Sequence, residues 1–472
     1  FNFFEAEKSF LLKREIQDSY AKKNTKLPDS LISKEDQLKR EISHNQKLIF
    51  IEGDTESEYS KEISSKVFSL KRELENLLLD IEQNHPTYYA LKYRNIESSL
   101  ASIQADISTK AMAIEYYQHQ DHIYSISITK DKVNFLYTTS ENFQEKVINF
   151  NKSIEASDLE TYSKLANELH TILMKPHDYN EYPQIQLIPS KDISFLSFDA
   201  LTSTKGENLN YNEFDYLIKS HSFCYNNSLQ KNRSEQTTAN NLYLGVSPNY
   251  SNNKYANLNG AIREVEEISE KLDGDLLINN NATKEKLLES IPNYRILHFA
   301  SHAELNSSNS AYSKIILASD VADTINSELY AYEIQNSKLN ADLVILSACN
   351  TGVGELLVGE GIASLARSFN YAGAKSILVS LWAIPDYSTS QIINYFFDNL
   401  GTESKARALQ QAKIRYLNTA DEHLSNPLYW AGLSINGDDS PILIKDEMNR
   451  KLLYLILGIL SLVGILFWRK NI

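Results

Sequence analysis

The feature that most restricts how this chain can fold is a repeated alternation of short apolar runs with amphipathic stretches. The runs "IQLIPS", "LYLGVSP", "YRILHFAS", "LVILSA" and "AKSILVSLW" are separated by helix-like segments such as "AIREVEEISEKL", "GIASLARSFN" and "STSQIINYFFDNL". An apolar run of this length without polar alternation suits a strand covered on both faces, and intervening helices provide the crossovers that parallel strands need. The pattern therefore predicts an α/β domain: a mostly parallel sheet flanked by helices. Upstream, "IYSISITKDKVNFLYTT" alternates apolar and polar residues about Lys130-Asp131, a β-hairpin signal that puts the start of this domain near residue 119.

Residues 1–118 read differently. Ile63, Val67, Leu70, Leu74, Leu77 and Ile81 line one helical face that ends at Pro86, and Leu31, Leu38 and Ile42 line another, with Asp29 or Ser30 as its cap. Antiparallel helices follow, either as a plain packed hairpin or as a docking surface for a regulatory protein. At the other end, Leu452 to Trp468 is 17 residues without a charge, between Arg450-Lys451 and Arg469-Lys470. Such a run predicts a single membrane-spanning helix in contact with lipid, and hence a membrane location with a C-terminal anchor. Three regions are expected: 1–118 helical, 119–440 α/β, and 441–472 juxtamembrane and spanning.

The net charge is −14, and residues 119–440 hold 39 acidic groups against 25 basic ones. That balance argues against direct nucleic-acid binding, which needs clustered Lys and Arg, and favours protein partners. The opening "FNFFEAEKSF" lacks the basic flank and apolar core of a signal peptide and reads as the start of an excised piece. Two cysteines with no CxxC argue against a disulfide framework or zinc site, and no phosphate-binding G-x-x-x-x-G-K-[ST] is present. No metal or organic cofactor is implied.

The chemistry-bearing pair is Cys349, after "DLVILSA" and before the glycine-rich "NTGVGELLVGEG", and His302, after "YRILHFAS". Reactive groups gather in the crevice at the carboxyl ends of parallel strands, where loops are free to carry them. A thiolate is a strong nucleophile, and a neighbouring imidazole can take its proton and return it to a leaving amine. Residue types alone leave two readings open, since a cysteine at a strand end is also a common core residue. His298, inside its strand, and Cys224 read as structural.

The set "ILHFASHAEL", "LVILSACNTGVG", "GEGIASLARSFNYAGAKSILVSLWAIPD" and "NPLYWAGLSINGD" resembles the CHAT domain, a caspase-like cysteine peptidase module of the clan of caspases and separases, found in bacteria beside tetratricopeptide repeats. The resemblance spans roughly residues 120–437. It implies a caspase-like sheet and a cysteine endopeptidase that cuts a specific protein substrate through a thioester, in bacterial defence or regulated cell death. Carried over by residue, Cys349 is the nucleophile, His302 the general acid/base, and the backbone amides of Cys349 and Ala303 the oxyanion hole. Ala303 departs from the family's usual glycine; alanine keeps the N–H but accepts fewer backbone conformations. "SLWAIPDYST" is similar to a separase segment whose acid receives a basic substrate side chain, which makes Asp386 a substrate-pocket residue; the other reading of Asp386 is a helix cap. The alternative to an enzyme is a membrane-tethered scaffold or signalling module whose peptidase-like domain binds protein without cutting it.

Overall fold

The computed structural model describes residues 18, 21–22, 25, 27–53, 57–92, 100–205, 210–229, 239–250, 255–306, 309–318, 327–347 and 358–444. Helices come first: α1 (Asp29–Glu52), α2 (Glu58–Asn84), α3 (Pro86–Lys92) and α4 (Leu100–Asp106). The heptad-like spacing becomes a real interface. Ile42, Ile63 and Val67 form one buried cluster and Leu38, Leu77, Ile81 and Tyr88 another. Neither Asp29 nor Ser30 caps α1; its cap position is Pro28, and the helix opens at Asp29 with no side-chain cap bond. Ser57 does cap α2, accepting from the Ser60 amide at 3.0 Å, and Pro86 opens α3 at a position where its missing N–H costs nothing.

The sheet begins at β1 (Ala111–His119), inside the stretch that reads as helical from sequence, followed by β2 (His122–Ile128) and β3 (Val133–Thr139). The hairpin about Lys130-Asp131 is the β2–β3 pair, Ile128 opposite Val133. β1 escaped a period-two reading because it is covered on both faces, Ala111 to Tyr116 all being buried, so it never alternates. Next come α5 (Phe143–Glu155), α6 (Leu159–Leu173), β4 (Gln184–Ile188), β5 (Ser222–Tyr225), β6 (Asn241–Pro248), α7 (Asn259–Leu272), β7 (Asp275–Asn279), α8 (Lys284–Ser290) and β8 (Tyr294–Phe299). A small antiparallel sheet follows, β9 (Ala303–Glu304), β10 (Lys314–Ile316) and β11 (Glu328–Tyr330). The chain closes with α9 (Ala331–Gln335), β12 (Leu343–Leu346), α10 (Val358–Ala372), β13 (Ser376–Ser380), α11 (Asp386–Asn399), α12 (Lys405–Thr419) and β14 (Leu433–Gly437).

The main sheet runs β3-β2-β1-β4-β5-β14-β13-β12-β8-β6-β7. Its pairings are parallel except β1–β2, β2–β3 and β13–β14. Two parallel halves thus meet back to back at β13–β14. Alternate residues divide between the faces: Leu343 and Ile345 join a core with Phe150, Tyr162, Phe396 and Trp430, while Val344 and Leu346 pack with Phe299, Leu365 and Phe369. This is the mixed α/β architecture expected, a mostly parallel sheet flanked by helices, with a helical region ahead of it.

The membrane anchor is the correction. Among the described residues no helix is long and apolar enough to cross a membrane, and the expected span, Leu452–Trp468, lies outside them. Seventeen uncharged residues satisfy a hydropathy argument, but hydropathy alone does not establish a helix.

A buried ion pair joins α12 to the segment between β4 and β5. Lys413 of α12 donates to the Asp199 carboxylate and, at 2.6 Å, to the Leu433 carbonyl of β14. Burial raises the Asp199 carboxyl and lowers the Lys413 ammonium, each opposed by the other's charge. Removing one partner strands the other in the core. Lys413→Met should therefore cost about 3–5 kcal/mol in urea unfolding, and Lys413→Met with Asp199→Leu should cost less than the single change; equal losses would show that the charges are not coupled.

Candidate active site

Strand register builds the site. β8 and β12 pair in parallel with Phe299 opposite Leu346, and the Ser347 amide donates to the Phe299 carbonyl at 3.1 Å. The two strands end level. His302 stands three residues past Phe299, and Cys349 stands three past Leu346. β13 runs parallel to β12, so the loop leading to Asp386 leaves from the same rim. Cys349 itself lies outside the described residues, as does the glycine-bearing stretch 350–357 after it.

His302 is buried and held on three sides. Its Nε2 is 2.9 Å from the carbonyl of Ala256. A carbonyl only accepts, so Nε2 carries a proton, and in the neutral ring Nδ1 is the nitrogen with the lone pair. Among the described residues Nδ1 has no hydrogen-bond partner. The imidazole lies 5.1 Å from the Tyr250 ring and 5.6 Å from the Tyr255 ring, centroid to centroid. Its backbone N–H donates to the Tyr250 hydroxyl at 3.0 Å, and that hydroxyl in turn donates to the Ile316 carbonyl at 3.4 Å. Burial pushes the Tyr250 phenol well above its ordinary range, so it stays a protonated donor.

Ala303 follows on β9, opposite Ile315. The Ile316 amide donates to the His302 carbonyl at 2.9 Å, so 302 and 316 form a hydrogen-bonded pair. In an antiparallel ladder the next pair is then a non-bonded one, whose N–H groups point away from the partner strand. The Ala303 N–H thus faces outward from β9, which is an edge of the small sheet. Ala303 is also absent from the residues with positive φ, so its methyl group brings none of the strain that the departure from glycine suggested.

Asp386 is exposed in the first turn of α11; the cap position is Pro385, with no side-chain cap bond. The helix-cap reading in its strict form is therefore not what is found, and the carboxylate is open to solvent. His298 is a core histidine, as expected, though a well-connected one: Nδ1 lies 2.9 Å from the Tyr243 hydroxyl, and Nε2 lies 3.0 Å from Ser347 Oγ and 2.9 Å from Glu264 Oε1. Cys224 is buried, its thiol pushed up by burial, with Sγ 3.3 Å from the Gly437 carbonyl. Among the described residues no group of three or more His, Cys, Asp or Glu is placed to hold a metal ion.

Sequence reasoning missed Tyr250, Tyr255 and Ala256. They come from the loop after β6, and they reach His302 only because β6 pairs with β8, Val246 opposite Phe299. The available signal was topological: in a parallel sheet the loop of each neighbouring strand opens on the same rim.

The model of the CHAT domain matches residues 163–438, more than half the chain. The chain belongs to the CHAT domain family. Tetratricopeptide repeat protein 28 of Mus musculus is 27% identical over 205 residues, covering 36% of this chain and 8% of that protein; the chain thus spans a small part of this relative's length. Among solved structures, separase in the Saccharomyces cerevisiae separase–securin complex is 10% identical with a TM-score of 0.47, covering 81% of this chain and 34% of that one. The Arg-specific cysteine proteinase gingipain R is likewise 10% identical, with a TM-score of 0.36, covering 64% and 75%.

One expectation tests the framework around His302. Tyr250→Phe leaves the His302 N–H buried without its acceptor and should lower stability by about 1–3 kcal/mol in urea unfolding. An unchanged midpoint would mean that the hydroxyl does not hold the histidine backbone.

Proposed function

We propose that this CHAT domain is a cysteine endopeptidase acting on a protein substrate, with Cys349 as nucleophile and His302 as general acid/base. The observation that carries the reading is the state of His302. It stands at the strand rim level with the Cys349 strand, its Nε2 proton committed to the Ala256 carbonyl and its Nδ1 left as a base. The Cys349 thiol gives its proton to Nδ1, and the sulfur attacks the scissile carbonyl carbon. The backbone N–H groups of Cys349 and Ala303 receive the negative oxygen, where preorganised donors contribute most. Collapse breaks the C–N bond as Nδ1 returns the proton to the departing amine. Water then hydrolyses the thioester and restores the thiol.

Asp386 supplies the specificity in this proposal. An exposed carboxylate on the rim that His302 and Cys349 share is suited to an Arg or Lys side chain before the scissile bond. The N-terminal helices are, in the same proposal, where a regulatory protein acts. Phe50 of α1 stacks on Tyr312 at 4.3 Å, and Lys47 sits over the Tyr330 ring at 4.0 Å. Tyr330 belongs to the small sheet that carries Ala303 and Tyr312 stands just ahead of its strand β10, and tetratricopeptide repeat protein 28 is a repeat protein by name.

Incubation with a peptide library and with an electrophilic peptide probe tests the dyad. Wild type should cleave and be labelled at Cys349, while Cys349→Ala and His302→Ala should lose cleavage completely; turnover in either variant removes the mechanism. Absence of both cleavage and labelling in wild type would instead favour a protein-binding domain without catalysis. Asp386→Ala should weaken the preference for Arg or Lys in the same library, and an identical profile discards the pocket assignment.

A further inference from the structure

His302 is held by more than a carbonyl. The segment that provides this carbonyl, Tyr255-Ala256, needs an anchor of its own, and it finds one on the strand just after the histidine. The Tyr255 hydroxyl donates to Glu304 Oε1 at 2.5 Å. Burial first, and then the Glu304 carboxylate, push the Tyr255 phenol upward, so it is a donor at neutral pH. The other carboxylate oxygen of Glu304 takes the Lys314 ammonium at 3.0 Å. Lys314 also pairs with Glu328 on β11 at 2.5 Å. Partial burial alone would lower the Lys314 ammonium, but its hydrogen bonds to Glu328 and Glu304 outweigh that and raise it above its usual range, so the cation persists.

Geometry therefore gives one carboxylate two tasks. Through Tyr255 it places an aromatic ring against the imidazole and fixes the adjacent Ala256 carbonyl that sets the tautomer. Through Lys314 it is fixed to the next strand. Backbone N–H groups lie in the plane of the sheet while side chains stand off it, so β9 can direct the Ala303 N–H outward from its edge while Glu304 reaches for Tyr255. We propose that Glu304 is a positioning residue for His302, acting through Tyr255. It touches neither substrate nor reacting atoms.

The inference rests on the peptidase reading for its kinetic consequence but not for its structural one, and the test uses both. Hydrogen–deuterium exchange at the imidazole C2 of His302, followed by mass spectrometry across pH, needs no turnover. Glu304→Ala and Tyr255→Phe should each speed that exchange several-fold relative to wild type, and the double variant should add nothing to either. Glu304→Gln, which keeps an acceptor for the Tyr255 hydroxyl, should restore most of the protection. In cleavage assays Glu304→Ala should lower kcat on the order of ten- to a hundred-fold with KM little changed, since misplacing a catalytic group has effects of that size. Unaltered exchange at His302 in Glu304→Ala and in Tyr255→Phe overturns the proposal. If exchange responds but His302→Ala still cleaves, the peptidase reading falls and the positioning role stands.

Discussion

The parallel pairing of β8 with β12 is the constraint on which the rest depends. With Phe299 opposite Leu346, two segments far apart in sequence end at one level, on a common rim of the sheet. A slip of one residue would turn every side chain on β12 to the wrong face. The division of Leu343 and Ile345 from Val344 and Leu346 between two cores opposes such a slip. Hydrophobic packing on both faces of the sheet thus fixes the register, and the register decides which loops meet.

The α/β class was legible because covered strands and amphipathic helices have different periods, and the hairpin at Lys130-Asp131 because its outer strand meets water on one face. β1 was not legible for the converse reason: Ala111 to Tyr116 are covered on both sides, and continuous burial removes the alternation on which the reading relied. His302 could be found as a polar residue ending an apolar run. Tyr250, Tyr255 and Ala256 could not, because their relevance comes from the adjacency of β6 and β8 in space. Asp386 was placed correctly at a helix start, yet its side chain makes no cap bond there. Propensity identifies the position and tertiary context decides what the side chain does.

The contrast between the two buried histidines is instructive. His298 is enclosed by Tyr243, Glu264 and Ser347, with a neighbour for each ring nitrogen. His302 has one nitrogen committed and one with no partner among the described residues. Two residues of the same type, four apart on one strand and its exit, differ in chemistry because one is finished by the core and the other lies where the core stops. Burial alone does not separate them; the count of satisfied nitrogens does.

The three-stranded sheet β9–β10–β11 is a wall shared by two neighbours. At its β11 edge it meets α1, where Lys47 sits over Tyr330, and Phe50 stacks on Tyr312 just ahead of β10; at its β9 edge it carries Ala303 and Glu304, next in the chain to His302. A party wall of three short strands has little bulk in which to absorb displacement. Tilting the helical arm and leaving the histidine's surroundings untouched are, for this architecture, competing demands.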